Sequence, residues 1–423
     1  MSKKTFNEII DSVSVDDVTK PAEEDSAQTS IALFARFMVK AHVNWDNFPE
    51  NLKDKFYTEV ENLYDNPPQK PEELLKKLDT ILIRCVPDNH SFVLNDKKQR
   101  LLSAETAKQI PDKAIDKYTE THVGKNTVFT LEEDSSYKQL CLQKKGTEAI
   151  GIFEKMTDDH KKVGIISLSK CPQPSDPAYD LASFQKIFND NYQNWDAVVL
   201  DVRGNEGGNA QIISNLSRVL YGNEVVFCGK QSLRMSPEAK FLHHEKYPDK
   251  TDFLNMLHNS TKEPYLAMPE KSETEFNKEK GFDKNIYILT DRRTSSSAEY
   301  VCGLYKHPKV KFLGENTCGC GEFGDTVPIK LPCGGELVMG VWKNTINCGI
   351  PEGQGREPTH PTQQGRDAFQ HCLDILHNDF SINALRDRLG MRKKPDKAAP
   401  EKPLTKSAIS NAVSALQARS HTH

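Results

Sequence analysis

Four short apolar runs, at residues 163–168, 197–201, 286–289 and 310–313, alternate with helical stretches at 180–191, 209–220 and 298–305. Runs of this length, rich in Val, Ile and Leu, suit buried strands better than buried helices. Strands separated by helices pack as a layered α/β core, because each helix covers a face of the sheet. Gly-rich stretches reaching about residue 347 read as further strands.

Ahead of this core, residues 27–82 carry apolar residues at helical spacing, with a break at Pro67-Pro68. They predict helices in an N-terminal subdomain, residues 1–104, that ends in the segment around His90. The α/β core is assigned to residues 105–380. Within it, 127–131, 139–142 and 149–153 read as strands. Residues 225–283 form a polar insertion, rich in Lys, Glu and His, over one end of the sheet. Residues 381–423 turn basic, Pro-rich and then Ser- and Ala-rich, the composition of a disordered tail.

Composition narrows the function classes. The 423 residues are 37% hydrophobic and 27% charged with a formal net charge of −4, which gives no footprint for nucleic acid. No apolar run approaches the roughly 20 residues that cross a bilayer, so no membrane partner is expected. MSKKTFNEIIDSVSVDD lacks the apolar stretch of a secretory signal, and the expectation is a cytoplasmic protein unless an unconventional route exports it. Ten scattered cysteines then read as reduced thiols. Cys318-Gly-Cys320, with Cys333 and Cys348 downstream, lacks the paired ligand spacing of a zinc site. His243-His244-Glu245 lacks the HExxH spacing and reads as a solvated helix or loop. Neither metal nor other cofactor is expected.

Two segments carry chemistry. Asp201-Val-Arg-Gly-Asn-Glu-Gly-Gly-Asn209 follows the apolar run at 197–200, and a strand entering a Gly-rich turn presents backbone N–H groups to an anion. It lacks the lysine of a nucleotide-phosphate loop, but the same geometry serves as an oxyanion hole. The second segment is Thr290-Asp-Arg-Arg-Thr-Ser-Ser-Ser-Ala-Glu299, after the run Asn285-Ile-Tyr-Ile-Leu289. Its hydroxyls could simply cap the following helix, a common role for Ser and Thr. A strand end that carries a hydroxyl to the rim of a sheet also builds a nucleophile.

These two segments, followed by Gly314-Glu-Asn-Thr-Cys-Gly319, occur in the order found in tail-specific (C-terminal processing) proteases. Over residues 75–375 the chain resembles that family. The resemblance implies a layered ββα-type core (ClpP/crotonase-like), a polypeptide substrate and serine-peptidase activity. It also implies that the nucleophile is the serine three residues before Glu299, which is Ser296, with Ser295 and Ser297 as the flanking alternatives.

Members with a Ser–Lys dyad carry lysine in a Gly-Lys-Gly turn; here that turn is Gly319-Cys320-Gly321, so the dyad is absent. The chain is similar instead to the tricorn-type branch, through Asp88-Asn-His90-Ser91 and through Glu352, 56 residues after Ser296. That resemblance implies His90 as base and Glu352 as its orienting carboxylate. Gly207 or Gly208, together with Ser297, would hold the oxyanion, and Ser91 would bridge histidine to carboxylate. The stretch at 105–160 is short for a PDZ module. Substrate is expected as an extended strand along a sheet edge, and a homo-oligomer is compatible with everything above. The alternative is a catalytically inactive ligand- or peptide-binding homologue on the same fold.

Overall fold

The structure, a computed structural model, describes residues 4–19, 26–114, 120–223, 228–260, 265–267, 277–321, 323–346 and 352–388. Of the tail expected at 381–423, residues 381–388 are helical rather than disordered, and the rest lies outside the described residues. The chain opens with helices α1 (Phe6–Asp11), α2 (Ser26–Ala41), α3 (Glu50–Asp65) and α4 (Pro71–Cys85), then strand β1 (Phe92–Asn95) and helices α5 (Ala104–Lys108) and α6 (Val128–Glu133). Next come β2 (Lys138–Lys145), β3 (Glu148–Met156), β4 (Lys162–Leu168), α7 (Leu181–Asn191), β5 (Ala197–Asp201) and α8 (Gln211–Tyr221). The expected insertion supplies β6 (Cys228–Arg234), α9 (Pro237–Lys246), α10 (Thr251–Asn259) and β7 (Tyr265–Ala267). β8 (Asn285–Thr290), a 3-10 helix (Ser296–Lys306), β9 (Val310–Gly314), β10 (Phe323–Leu331), β11 (Gly335–Ile346), β12 (His360–Pro361) and α11 (Ala368–Arg388) complete it.

The four apolar runs become neighbours. β4, β5, β8 and β9 lie parallel in a seven-stranded sheet ordered β12-β9-β8-β5-β4-β3-β2, with β2 and β3 added antiparallel. Every residue of β5 is buried, as a strand covered on both faces must be. Phe184 and Phe188 of α7, Ile213 and Leu216 of α8, and Val301 and Leu304 of the 3-10 helix share one apolar core with Val198, Leu200 and Ile288. Each such side chain contributes roughly 1.5–3 kcal/mol by leaving water.

A second, five-stranded sheet runs β1-β11-β6-β7, with β10 also paired to β11. The N-terminal helices read from the sequence are present. They share their core with this sheet: Phe34, Phe37 and Phe56 cluster with Val327, Ile329, Leu337 and Met339. Residues 225–283, in their described part, do more than lie over one end of a sheet, since β6 and β7 extend it. Residues 127–131, expected as a strand, enter helix α6, where Leu131 N–H bonds the Thr127 carbonyl. Contacts divide the chain into residues 1–373 and 374–423, and the described part of the second unit is helix.

His243 corrects another expectation. It is fully buried on α9, edge-on to Phe253 and Trp342 at 5.8 and 6.2 Å between ring centroids. Neither ring nitrogen has a hydrogen-bond partner among the described residues, and burial pushes its pKa down to about 4. The unfolded chain therefore binds a proton below about pH 6.5 that the folded chain refuses until about pH 4. Stability from this residue is complete above the unfolded value and is lost as pH falls through that window. His243→Leu should lose about 2 kcal/mol less stability than wild type between pH 7 and pH 5, read from urea midpoints. Equal losses in the two proteins would show that the ring is not held neutral.

Candidate active site

The two chemical segments meet because β5 and β8 are adjacent and parallel, so both turns leave the same end of the sheet. Hydrogen bonds then lock one turn to the other. Thr294 Oγ1 donates to the Val202 carbonyl at 2.9 Å, and Gly204 N–H donates to Asp291 Oδ1 at 2.9 Å. Ser295 N–H reaches the Asn205 carbonyl at 3.0 Å. Asn205 itself is tied down through its side chain, which donates to the Leu168 carbonyl at 3.0 Å. Arg203, fully buried, anchors the base of the turn on Asp201.

The serines are not helix caps. Ser295 stands at the N-cap of the 3-10 helix without a side-chain capping bond, and the Thr294 hydroxyl is spent on Val202. Ser296 adopts φ +54°, a left-handed conformation that costs a non-glycine residue energy and recurs at functional positions. Gly207 packs directly behind it: a Cβ there would lie 2.7 Å from Ser296 Cβ, so glycine is required for the approach.

His90 Nε2 lies 3.1 Å from Ser296 Oγ, although the two are 206 residues apart. The histidine loop is shaped by Asp88, which is fully buried. Its carboxylate accepts from the backbone N–H groups of His90 and Ser91 and from the Ser91 hydroxyl, and it pairs with His42 Nε2 at 2.8 Å. Asp88 thus braces the loop through the Ser91 hydroxyl as well as through its backbone N–H groups. Glu352 comes to the same loop, its Oε1 accepting the Asn89 N–H at 3.1 Å.

Glu299 connects these parts, a role that its place in the serine motif did not reveal. Fully buried, it accepts from the Thr317 hydroxyl, from Gly319 N–H at 2.8 Å and from Cys320 N–H at 2.7 Å. Burial raises its carboxyl above the ordinary range against the pull of those donors. The turn so fixed holds the Glu352 loop: Gly353 N–H bonds the Gly319 carbonyl at 2.6 Å and Arg356 N–H bonds Thr317 Oγ1 at 2.7 Å. It also sets Cys320 Sγ 3.0 Å from Ser296 N, the amide donating to sulfur. Burial, with Cys318 and Glu299 beside it, pushes the Cys320 thiol well up, so it stays protonated near neutrality.

A cleft of about 900 Å³ opens over these groups, lined by His90, Ser296, Ser297, Gly208 and Cys320 among others. Gly208 and Ser297 face it, whereas Gly207 N–H donates to Asn205 Oδ1 at 2.9 Å. Gly208 has φ +130°, and a Cβ there would sit 2.1 Å from the Cys171 carbonyl oxygen, so the turn is built against the segment that follows β4, where Cys171 and Gly208 form a lone bridge. The Ser296 hydroxyl and the His90 imidazole thus stand side by side at the rim of the α/β sheet, next to a Gly-rich turn.

Comparison with known proteins agrees. Residues 162–349 match the model for Peptidase family S41, the family of the tail-specific proteases, and the chain is a serine peptidase with that core. The matched stretch contains the Gly-rich turn and Ser296 and leaves His90 and Glu352 outside it. Among solved structures, mature CPAF complexed with lactacystin is 12% identical over 83% of this chain and 98% of its own, with a TM-score of 0.50. The photosystem II D1 C-terminal processing protease is 11% identical over 81% and 94%, TM-score 0.40. The tricorn protease is 12% identical over 84% of this chain and 37% of its own, TM-score 0.40. At such identities the likeness to CPAF is one of fold. No curated protein matches the chain in sequence. Among the described residues, no helix is long and apolar enough to cross a membrane.

Proposed function

We propose that this serine peptidase is an endopeptidase acting through an acyl-enzyme, with Ser296 as nucleophile, His90 as general base and Glu352 as the carboxylate that supports it. The observation that carries the reading is the 3.1 Å approach of His90 Nε2 to Ser296 Oγ. Ser296 Oγ attacks the scissile carbonyl carbon while its proton passes to Nε2. The oxyanion is held by the N–H groups of Gly208 and Ser297, the latter outside the helix's own bonding in its first turn. Collapse breaks the C–N bond, the amine leaves with the proton from Nε2, and water repeats the sequence on the ester. Glu352, anchored one residue from His90, stabilises the imidazolium. Cys320 occupies the position where the Ser–Lys members place lysine, and a thiol kept protonated there cannot serve as base, which favours the histidine route.

A fluorophosphonate probe tests this. It should label the folded protein at one site, mapped by peptide mass to Ser296, and His90→Ala should abolish labelling. A folded protein that never labels would favour the inactive, ligand-binding reading.

A further inference from the structure

Two thiols flank Gly319. Cys318 and Cys320 stand two residues apart, Gly319 turns the chain between them at φ +76°, and their side chains are in hydrogen-bonding contact. Every residue of the turn is tied down. Cys318 N–H bonds the Thr294 carbonyl at 2.8 Å, and the N–H groups of Gly319 and Cys320 bond the Glu299 carboxylate at 2.8 and 2.7 Å. A Cβ on residue 319 would lie 2.3 Å from Gly355 N, so the turn is also packed from outside. The fold therefore keeps the two sulfurs together.

The thiols differ in access and in what they touch. Of the cysteines whose side chains are described, Cys318 is the only one that is not buried. Cys320 is buried at the edge of the catalytic cleft, and its Sγ accepts the Ser296 N–H at 3.0 Å. That bond helps to hold Ser296 at its left-handed φ of +54°. Cys320 is thus a positioning residue for the Ser296 hydroxyl. Joining the two sulfurs would bring them to the roughly 2 Å of a covalent S–S bond, which moves Cys320 Sγ on the order of 1 Å toward Cys318.

We propose that Cys318 and Cys320 form a reversible oxidation site, at which a hydroperoxide closes a disulfide that releases the Ser296 amide and switches the peptidase off. The inference rests on Ser296 being the nucleophile. With hydrogen peroxide, the accessible Cys318 thiol becomes a sulfenic acid and one water leaves. The Cys320 sulfur then attacks the Cys318 sulfur: the S–S bond forms, the S–O bond breaks, and the hydroxyl departs with the Cys320 proton as a second water. The two thiols together give up two electrons, and cleavage of the peroxide O–O bond takes up both. A reducing dithiol reverses the reaction by exchange.

The test uses the full chain, in which the tryptic peptide 312–330 holds these two cysteines and no other. After brief exposure to hydrogen peroxide and alkylation of the denatured protein, that peptide should be unalkylated and lighter by two hydrogens. Over the same exposure kcat for a quenched peptide should fall about 100-fold with KM little changed, the loss that follows a misplacement of about 1 Å at a reacting group. Dithiothreitol should restore both mass and rate. Cys318→Ser should cleave like wild type and keep its rate through the exposure, because Cys320 then has no partner sulfur. Exchange of the Ser296 amide hydrogen should quicken when the wild type is oxidised, since its acceptor has moved, and stay constant in Cys318→Ser. A 312–330 peptide that keeps both thiols, a disulfide that leaves kcat unchanged, or an equal reversible loss in Cys318→Ser overturns the proposal. If the wild type shows no Ser296-dependent cleavage, the catalytic reading has failed instead. The peptide mass and the Ser296 amide exchange then decide the oxidation site by themselves, and an unaltered exchange rate overturns it.

Discussion

Ser296→Ala is expected to lower kcat by about 10⁴–10⁶-fold, the loss that accompanies removal of a nucleophile whose partners act as a unit. The backbone has no reason to change. Ser296 is held through its amide by Cys320 Sγ and through its neighbour by the Ser295–Asn205 bond, and neither uses the hydroxyl. The alanine protein should therefore keep its unfolding midpoint while losing turnover of any quenched peptide the wild type cleaves. His90→Ala should fall by a similar factor, and the double variant should be no worse than either single one, because a base without its nucleophile does nothing. Glu352→Gln should lose less, since it removes support for the imidazolium and leaves the proton acceptor in place. If the alanine protein retains full activity and Ser295→Ala or Ser297→Ala does not, the nucleophile is a neighbouring hydroxyl.

The parts of this site differ in how plainly the sequence announced them. Strands β4, β5, β8 and β9 were legible because each is a short apolar run between helical stretches, a pattern set by local chain chemistry. Ser296 and the Gly-rich turn were legible because the motif and the turn residues sit together in sequence. Glu299 was visible only as a marker for counting back to the serine. Its role depends on Thr317, Gly319 and Cys320, some twenty residues away, and no local signal encodes those bonds. Asp88 stands in the motif with His90, but its contact with His42 has no local signal, since His42 approaches from beyond the end of α2.

Two other segments depart from their local pattern for the same physical reason. Residues 127–131 hold β-branched and aromatic types and looked like a strand. Thr127 instead bonds Asp201 through its N–H and hydroxyl, and the chain turns helical from that fixed point. His243 looked solvated because its neighbours in sequence, His244 and Glu245, are exposed; its burial comes from Phe253 and Trp342. The second sheet joins β1, β6, β7, β10 and β11 across most of the chain, a set of pairings that periodicity cannot show.

Arg203→Leu is expected to destabilise the protein by about 3–5 kcal/mol, because it strands a buried carboxylate. Asp201 and Arg203 are both fully buried, and Nε and Nη2 of the arginine meet Asp201 Oδ1 and Oδ2 at 3.0 and 2.8 Å. Nη1 donates to the Val123 carbonyl at 2.7 Å and to Asp367 Oδ2 at 3.1 Å. Leucine removes every one of these donors at once and leaves Asp201 only its bonds to Thr127 and to the backbone N–H at position 203. Against a typical domain stability of about 5–15 kcal/mol the loss should appear as a large fall in the urea midpoint. Arg203→Lys should recover part of it, since the charge returns but the two-pronged contact does not. Combining Arg203→Leu with Asp201→Asn should cost less than the two single losses added together, because the stranded charge is then gone. Peptidase activity should fall in all three variants at temperatures where they remain folded, because Asp201 opens the turn that carries Gly208 into the cleft. A midpoint for Arg203→Leu within about 0.5 kcal/mol of wild type, the range of ordinary surface substitutions, would show that the turn is held without this pair.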